Sequence, residues 1–267
     1  MAETDKNFKF QIKNFVPSGH LPQGDKLKIR GFCRFILDIL FPPQCVSCGK
    51  KFETHTERVI CEQCFALIPT RSGFMCLICG RRVPQFGEVC HREACFILAA
   101  ATDYKNPQAR ETLHALKYGH IRSAAEPISE ILAYYVAELI LHHGLPTENT
   151  IIVPIPIHKS RLRTRGYNQS LLISELLQLK LRNELRVAPD ALMRVRPTKS
   201  QTELKNYDER EKNVSGSFTV RNAESIAGKT VLLFDDVYTS GATMREAARE
   251  LKRARARRVV GLVFAKA

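Results

Sequence analysis

Two sets of residues in this chain have the types and spacing to do chemistry. The first is the run Val231, Leu232, Leu233, Phe234, Asp235, Asp236, Val237, Tyr238, Thr239, Ser240, Gly241, Ala242, Thr243. Its four apolar residues read as a strand buried on both faces. The acidic pair falls where that strand ends, and a hydroxyl-rich turn with one glycine opens the next helix. Backbone N–H groups from Thr239 to Thr243, aided by the helix dipole, suit a phosphate, while the carboxylates of Asp235 and Asp236 suit the hydroxyls of a sugar diol. A ribose 5-phosphate satisfies both halves. An acidic pair alone reads as a solvated turn or a helix cap; the ordered string of apolar, acidic, hydroxyl and glycine positions is what favours a ligand.

The second set is the cysteines. Eight of the nine fall into pairs: Cys45 with Cys48, Cys61 with Cys64, Cys76 with Cys79, and Cys90 with Cys95. Thiolates are soft ligands and a CxxC turn bends two sulfurs toward one ion, so eight thiols predict two tetrahedral zinc sites. Sequential pairing, with Cys45, Cys48, Cys61 and Cys64 in one site and Cys76, Cys79, Cys90 and Cys95 in the other, closes the shorter loops and is favoured over a cross-braced arrangement. His91 is an alternative ligand to Cys90. Four protein ligands per ion leave no open position, which makes the zincs structural staples rather than catalytic centres. Cys33, in the apolar stretch Phe32 to Phe41 that ends at Pro42 and Pro43, reads as a buried hydrophobe.

The elements that must position these residues form an α/β fold. Strands and helices alternate from about residue 96 to the end of the sequence, predicting a mostly parallel sheet flanked by helices, preceded by a mobile basic tail (residues 1–30) and a small zinc-binding module (31–95). Phe96 to Ala101 reads as a strand, Asn106 and Pro107 open a helix, and a second helix follows over about Ala124 to His142. Ile151 to Val153 is a buried strand that gives way at Pro154 and Pro156 to a basic loop, after which Asn168 or Ser170 caps another helix. That loop, carrying Lys159, Arg161, Arg163 and Arg165, sits at the carboxyl end of a parallel strand, where open α/β sheets bind ligands. His158 within it reads as structural. The long polar connection from Leu192 to Phe218 reads as a lid, and Val259 to Phe264 as the last strand.

The formal net charge of +14 over 267 residues exceeds what solubility needs and favours a polyanionic partner. Arg249, Lys252, Arg253, Arg255, Arg257 and Arg258 crowd the helix after the acidic pair, opposite an apolar face. Their single sign of charge makes them either a solvated surface or a strip for nucleic acid. No stretch is long and apolar enough to cross a bilayer and no signal-peptide pattern is seen. The expected location is therefore cytoplasmic, where cysteines serve as metal ligands rather than disulfides.

The run from Val231 to Thr243 resembles the phosphoribosyl pyrophosphate (PRPP) motif of type I phosphoribosyltransferases. Together with VPIPIHKSRLRTRGYNQS, RPTKSQTELKNYDEREKNVSGSF, LHALKYG and the cysteine pairs, it resembles the ComF family over about residues 31–267. The resemblance implies a zinc-bearing module on a type I phosphoribosyltransferase fold, with a role in natural competence or the use of DNA. It also implies handling of single-stranded DNA at the cytoplasmic face of the membrane, alongside a ComFA-like helicase. Carried over by position, Asp235 and Asp236 would hold the ribose hydroxyls and Mg²⁺. The stretch of Val237, Thr239, Ser240, Gly241, Ala242 and Thr243 would cradle the 5-phosphate. Pro156, Ile157, His158, Arg163 and Arg165 would meet pyrophosphate, with Lys199, Gln201 and Arg210 in the lid. DNA would run along Arg249, Lys252, Arg253, Arg255 and Arg257. Active phosphoribosyl transfer, in base salvage or another glycosyl transfer, is the alternative, and the intact motif leaves it open whether the chain is an enzyme.

Overall fold

The computed structural model describes residues 42–52, 58–88, 90–197 and 207–267. The N-terminal tail, the apolar stretch holding Cys33, and Lys199 and Gln201 lie outside these. In chain order the elements are α1 (Glu62–Ala66), β1 (Phe74–Cys76), β2 (Arg82–Val83), β3 (Ile97–Asp103), α2 (Pro107–Lys117), α3 (Ala125–His143), β4 (Thr150–Pro154), α4 (Lys159–Arg165), α5 (Gln169–Lys180), β5 (Arg186–Val187), β6 (Leu192–Arg194), α6 (Tyr207–Val214), β7 (Phe218–Val220), β8 (Thr230–Tyr238), α7 (Ala242–Arg253) and β9 (Arg258–Lys266).

The continuous apolar runs of β8 and β9 are covered on both sides, as parallel strands require. The main sheet has the order β2-β1-β3-β9-β8-β4-β5, in which β3, β9, β8, β4 and β5 run parallel. On one face Leu232, Phe234, Leu262 and Phe264 pack with Leu113, Leu132, Val136 and Ile173 from α2, α3 and α5. On the other, Leu233 and Val263 meet Met244, Ala247 and Leu251 of α7, together with Leu192 and Phe218. Gly261 permits that second contact, because a Cβ there would stand 2.4 Å from Met244 Sδ and 2.7 Å from Phe96. Asn106 caps α2 by accepting from the Ala109 N–H at 2.9 Å, with Pro107 in the first turn where a missing N–H costs nothing.

The cysteine module is not a separate bead. Its strands β1 and β2 extend the main sheet antiparallel, with Met75 opposite Leu98. Tyr135 of α3 donates to the Gly73 carbonyl at 2.6 Å from a buried position, and Ser72 donates to Glu138 of the same helix. Thus the module's path beside β3 is held by main-chain pairing and by side chains that reach it from α3.

Two stretches differ from expectation. Residues 159–165 form the helix α4 rather than a loop: His158 Nδ1 accepts from the Ser160 N–H at 3.2 Å, and Gly166 closes the end. None of its residues is buried, so it carries no apolar periodicity. The described parts of the connection from Leu192 to Phe218 likewise hold regular elements, with β6 paired antiparallel to β7 and α6 between them in sequence.

Candidate functional site

Because β3, β4, β8 and β9 are parallel, their carboxyl ends share one edge, and the chain leaving each leads to α2, α4 or α7 or, after β9, to its last residue. β8 does not end at the acidic pair. Its ladder with β9 continues through Asp235 opposite Val263 to Tyr238 opposite Lys266, so the carboxylates lie within the strand rather than at a solvent-facing end. Asp236 is only 7% exposed.

Each carboxylate has partners. Asp236 Oδ1 lies 2.9 Å from Lys117 Nζ at the end of α2. Asp235 Oδ1 accepts from Ser170 Oγ at 3.1 Å and from the Asp236 N–H at 2.9 Å. Burial and the neighbouring Asp236 charge push the Asp235 carboxyl up to about 7, against the pull of Lys117, the Asp236 amide and Ser170. Arg194 of β6 stacks 5.1 Å from the Phe218 ring centroid. Burial, with the Arg161 charge adding to it, lowers its guanidinium to about 10, while the Asp235 charge opposes the shift.

The turn after β8 is built for an anion. Gly241 precedes α7 with φ of 76°, in the left-handed region, and a Cβ there would fall 2.2 Å from Tyr238 Oη, so both conformation and space demand glycine. Ser240 Oγ is enclosed and finds no hydrogen-bond partner among the described residues, whereas the Ser240 carbonyl accepts from Arg245 Nη2 at 2.8 Å. An enclosed hydroxyl without a partner, beside a helix N-terminus, fits a phosphate oxygen. Arg245 also binds Glu211 of α6, at 2.8 Å through Nε, and Gly216 donates to Glu246 of α7 at 2.7 Å. The segment carrying Arg210 is thereby fastened to the helix that starts at the anion turn.

Pro156 and Ile157 lead from β4 into α4. His158 is spent on capping, and Arg165 places its guanidinium 6.0 Å from the Tyr118 ring centroid. Beside it, Arg122 lies 5.3 Å from the centroid of Tyr167, while the exposed Tyr118 ring meets His114 edge-on at 5.4 Å. The basic strip assigned to α7 is corrected in two ways. The helix ends at Arg253, so Arg255 and Arg257 lie beyond it. Its charge is also mixed: Arg249 pairs with Glu246 at 3.2 Å and Arg253 with Glu250 at 2.5 Å, one turn apart on the same face. A cleft of about 310 Å³ lined by residues such as Arg71, Arg82, Leu98 and Ala100 shares no residue with this site.

The cysteines gather into two clusters, one of Cys45, Cys48, Cys61 and Cys64 and one of Cys76, Cys79, Cys90 and His91, with ligand atoms within 4.8 Å of one another in each. This is the sequential pairing. Cys48 and Cys61 sulfurs are 3.8 Å apart and those of Cys79 and Cys90 3.5 Å, close to the separation of about 3.8 Å that Zn–S bonds of about 2.3 Å impose on a tetrahedron. Burial pushes the Cys45 thiol up, but the N–H groups of Cys61, Cys48 and Ser47 outweigh it and bring the thiol to about 6, ready to bind a cation. The fourth member of the second cluster is His91, 3.4 Å from Cys76 Sγ, standing where Cys95 was expected, with Cys90 still in the group. Cys95 sits at the approach to β3, packed against the second core and facing the charges of Lys252, Arg245 and Arg249, with its thiol pushed up by burial.

Known proteins match this division of the chain. The double zinc ribbon domain family matches residues 36–95, and the phosphoribosyl transferase domain family matches residues 184–266. Competence protein ComFC of Bacillus subtilis is 28% identical over 201 residues, covering 71% of this chain and 76% of its own. DNA utilization protein YhgH of Escherichia coli is 28% identical over 221 residues, covering 83% and 89%. Over most of its length the chain is thus similar to the competence and DNA utilization proteins, with a zinc ribbon ahead of a phosphoribosyl transferase domain. Competence protein F of Haemophilus influenzae is a shorter match, 31% identical over 38% of this chain and 44% of its own. Among the described residues no helix is long and apolar enough to cross a membrane.

Sequence reasoning passed over Lys117, Ser170, Arg194 and the Glu211–Arg245 pair. Lys117 had a signal, standing in the LHALKYG stretch directly before the exposed Tyr118, as the last residue of a helix whose other face is core. The remaining three become functional candidates only once the fold brings them to the strand ends.

Proposed function

We propose that the strand-end site binds PRPP or a closely related phosphorylated sugar, and that the protein acts in DNA uptake or utilisation in the cytoplasm, contacting single-stranded DNA. The observation that carries the first half is the enclosed Ser240 hydroxyl, without a partner among the described residues, in a glycine-capped turn a few residues after two carboxylates. Groups that donate to a phosphate thus follow groups that accept from a diol on one continuous segment, at the spacing a ribose 5-phosphate needs. Asp235 and Asp236 accept from the sugar hydroxyls, the turn from Thr239 to Thr243 donates to the 5-phosphate, and Arg161, Arg163 and Arg165 face pyrophosphate. Mg²⁺ bound with PRPP would neutralise the pyrophosphate and make it a better leaving group.

The names of the relatives, competence and DNA utilization proteins, support the second half. The half-buried Arg165, the exposed Arg122 and the exposed Tyr118 ring support a sequence-tolerant contact with single strands, since guanidinium groups meet phosphates while a ring stacks on a base. A ComFA-like helicase is the expected protein partner. Glycosyl transfer is the second reading, favoured by Arg194 stacked on Phe218 beside Asp235, which offers a base or other acceptor a flat, charged surface.

Calorimetric titration of PRPP with Mg²⁺ into the full chain, with and without single-stranded DNA, tests the proposal. One PRPP per chain, lost in the Asp235→Ala, Asp236→Ala double variant, is the expected result. Equal affinity in wild type and double variant overturns the site, and PRPP binding without any DNA binding at low salt overturns the nucleic-acid half.

A further inference from the structure

Lys117 ends α2 with its ammonium 2.9 Å from Asp236 Oδ1, the two side chains being only 20% and 10% exposed. Burial pulls the ammonium down, yet the charge and hydrogen bond of Asp236, and then the charge of Asp235, hold it above the ordinary lysine range. Asp235 in turn has Oδ1 occupied by Ser170 and by the Asp236 amide. Two adjacent carboxylates in a poorly solvated place must either take up a proton or bind a cation. Here a cation is built into the chain. Counting charges, Asp235, Asp236 and Lys117 together carry at most one negative charge, and the ammonium still has two further N–H donors for a sugar oxygen.

We propose that Lys117 is the positioning residue of the sugar site, its ammonium fixing the Asp236 carboxylate so that a ribose 5-phosphate group is held there without a divalent cation. The inference rests on the sugar-phosphate reading above and assigns a division of labour within it. The diol and 5-phosphate are bound by the chain alone, and Mg²⁺ serves only the pyrophosphate. Ribose 5-phosphate, which lacks pyrophosphate, therefore binds equally in EDTA and in Mg²⁺, whereas PRPP binds more tightly in Mg²⁺.

Titration calorimetry of the full-length, zinc-loaded protein with ribose 5-phosphate and with PRPP, each in Mg²⁺ and in brief EDTA that leaves the zinc in place, tests this. Wild-type affinity for ribose 5-phosphate is expected to change less than about twofold between the two buffers. Lys117→Met is expected to weaken it by about tenfold or more in EDTA, the size of one charge-assisted contact, with Mg²⁺ restoring part of the loss. Lys117→Arg, which keeps the charge, is expected to retain metal-independent binding. Wild-type binding of ribose 5-phosphate that requires Mg²⁺ refutes the role of Lys117 while leaving the sugar-phosphate reading intact. Failure of both ligands in both buffers overturns that reading itself, and the wild-type comparison decides even where Lys117→Met does not fold.

Discussion

Raising the pH from about 5 to about 8 draws a proton out of the strand-end site, and this has a measurable cost. The Asp235 carboxyl moves from an ordinary 3.8 to about 7, through burial first and the Asp236 charge second, against Lys117, the Asp236 amide and Ser170. The folded protein therefore holds a proton between those values that the unfolded chain has released. Its stabilising contribution is complete below about pH 4 and disappears as the pH rises through about 7. For a shift of this size the loss between pH 5 and 8 is about 2–3 kcal/mol. The assay is urea unfolding of wild type and Asp235→Asn at matched zinc content across this range. Other titrating groups cancel in the difference, and wild type should lose ground to the variant by about 1 M in urea midpoint for a slope of about 2–3 kcal/mol per molar. A gap that stays constant, or one that moves in favour of wild type with rising pH, refutes the buried-proton argument. Sugar binding should strengthen over the same range, because only the ionised carboxylate is a pure acceptor.

Elemental analysis should find two zinc ions per chain, unchanged in Cys95→Ser and reduced to one in Cys90→Ser or His91→Ala; zinc loss in Cys95→Ser contradicts the ligand set drawn from the clusters. Gly241→Ala should abolish phosphate-ligand binding and cost about 2–4 kcal/mol of stability, the sum of a left-handed alanine and an overpacked contact with Tyr238, read by calorimetry and urea unfolding. Single-stranded DNA binding should weaken steeply with salt, and Arg165→Glu should reduce both affinity and salt slope more than Arg253→Glu, since Arg253 is already paired with Glu250; the opposite ranking returns the DNA contact to α7.

What was legible in the sequence follows from how local each signal is. The both-sided apolar runs of β8 and β9 and the Asn106–Pro107 start of α2 are local, and the structure has them within a few residues of expectation. The cysteine pairs announced two clusters because chelation geometry is written into the CxxC spacing. The choice between His91 and Cys95 was not, because it depends on where the chain turns into β3. α4 escaped detection since a basic helix with no buried residue has no apolar period, only a capping His158 and a terminal glycine. The charge of α7 was misjudged by counting arginines without their partners: Glu246 and Glu250 stand one turn away on the same helix. Lys117 is separated by over a hundred residues from Asp236, and only the parallel order of β3, β9 and β8 brings them together.

The central claim, that a phosphorylated sugar is held where β8 passes into α7, is tested most directly by hydrogen exchange of the full chain with and without PRPP and Mg²⁺. Slowed exchange concentrated in the amides from Asp236 to Arg245, extending to α6 through the Arg245–Glu211 contact, is the expected result. Protection confined to the zinc clusters or to the far end of the sheet, or no protection at saturating PRPP, contradicts it.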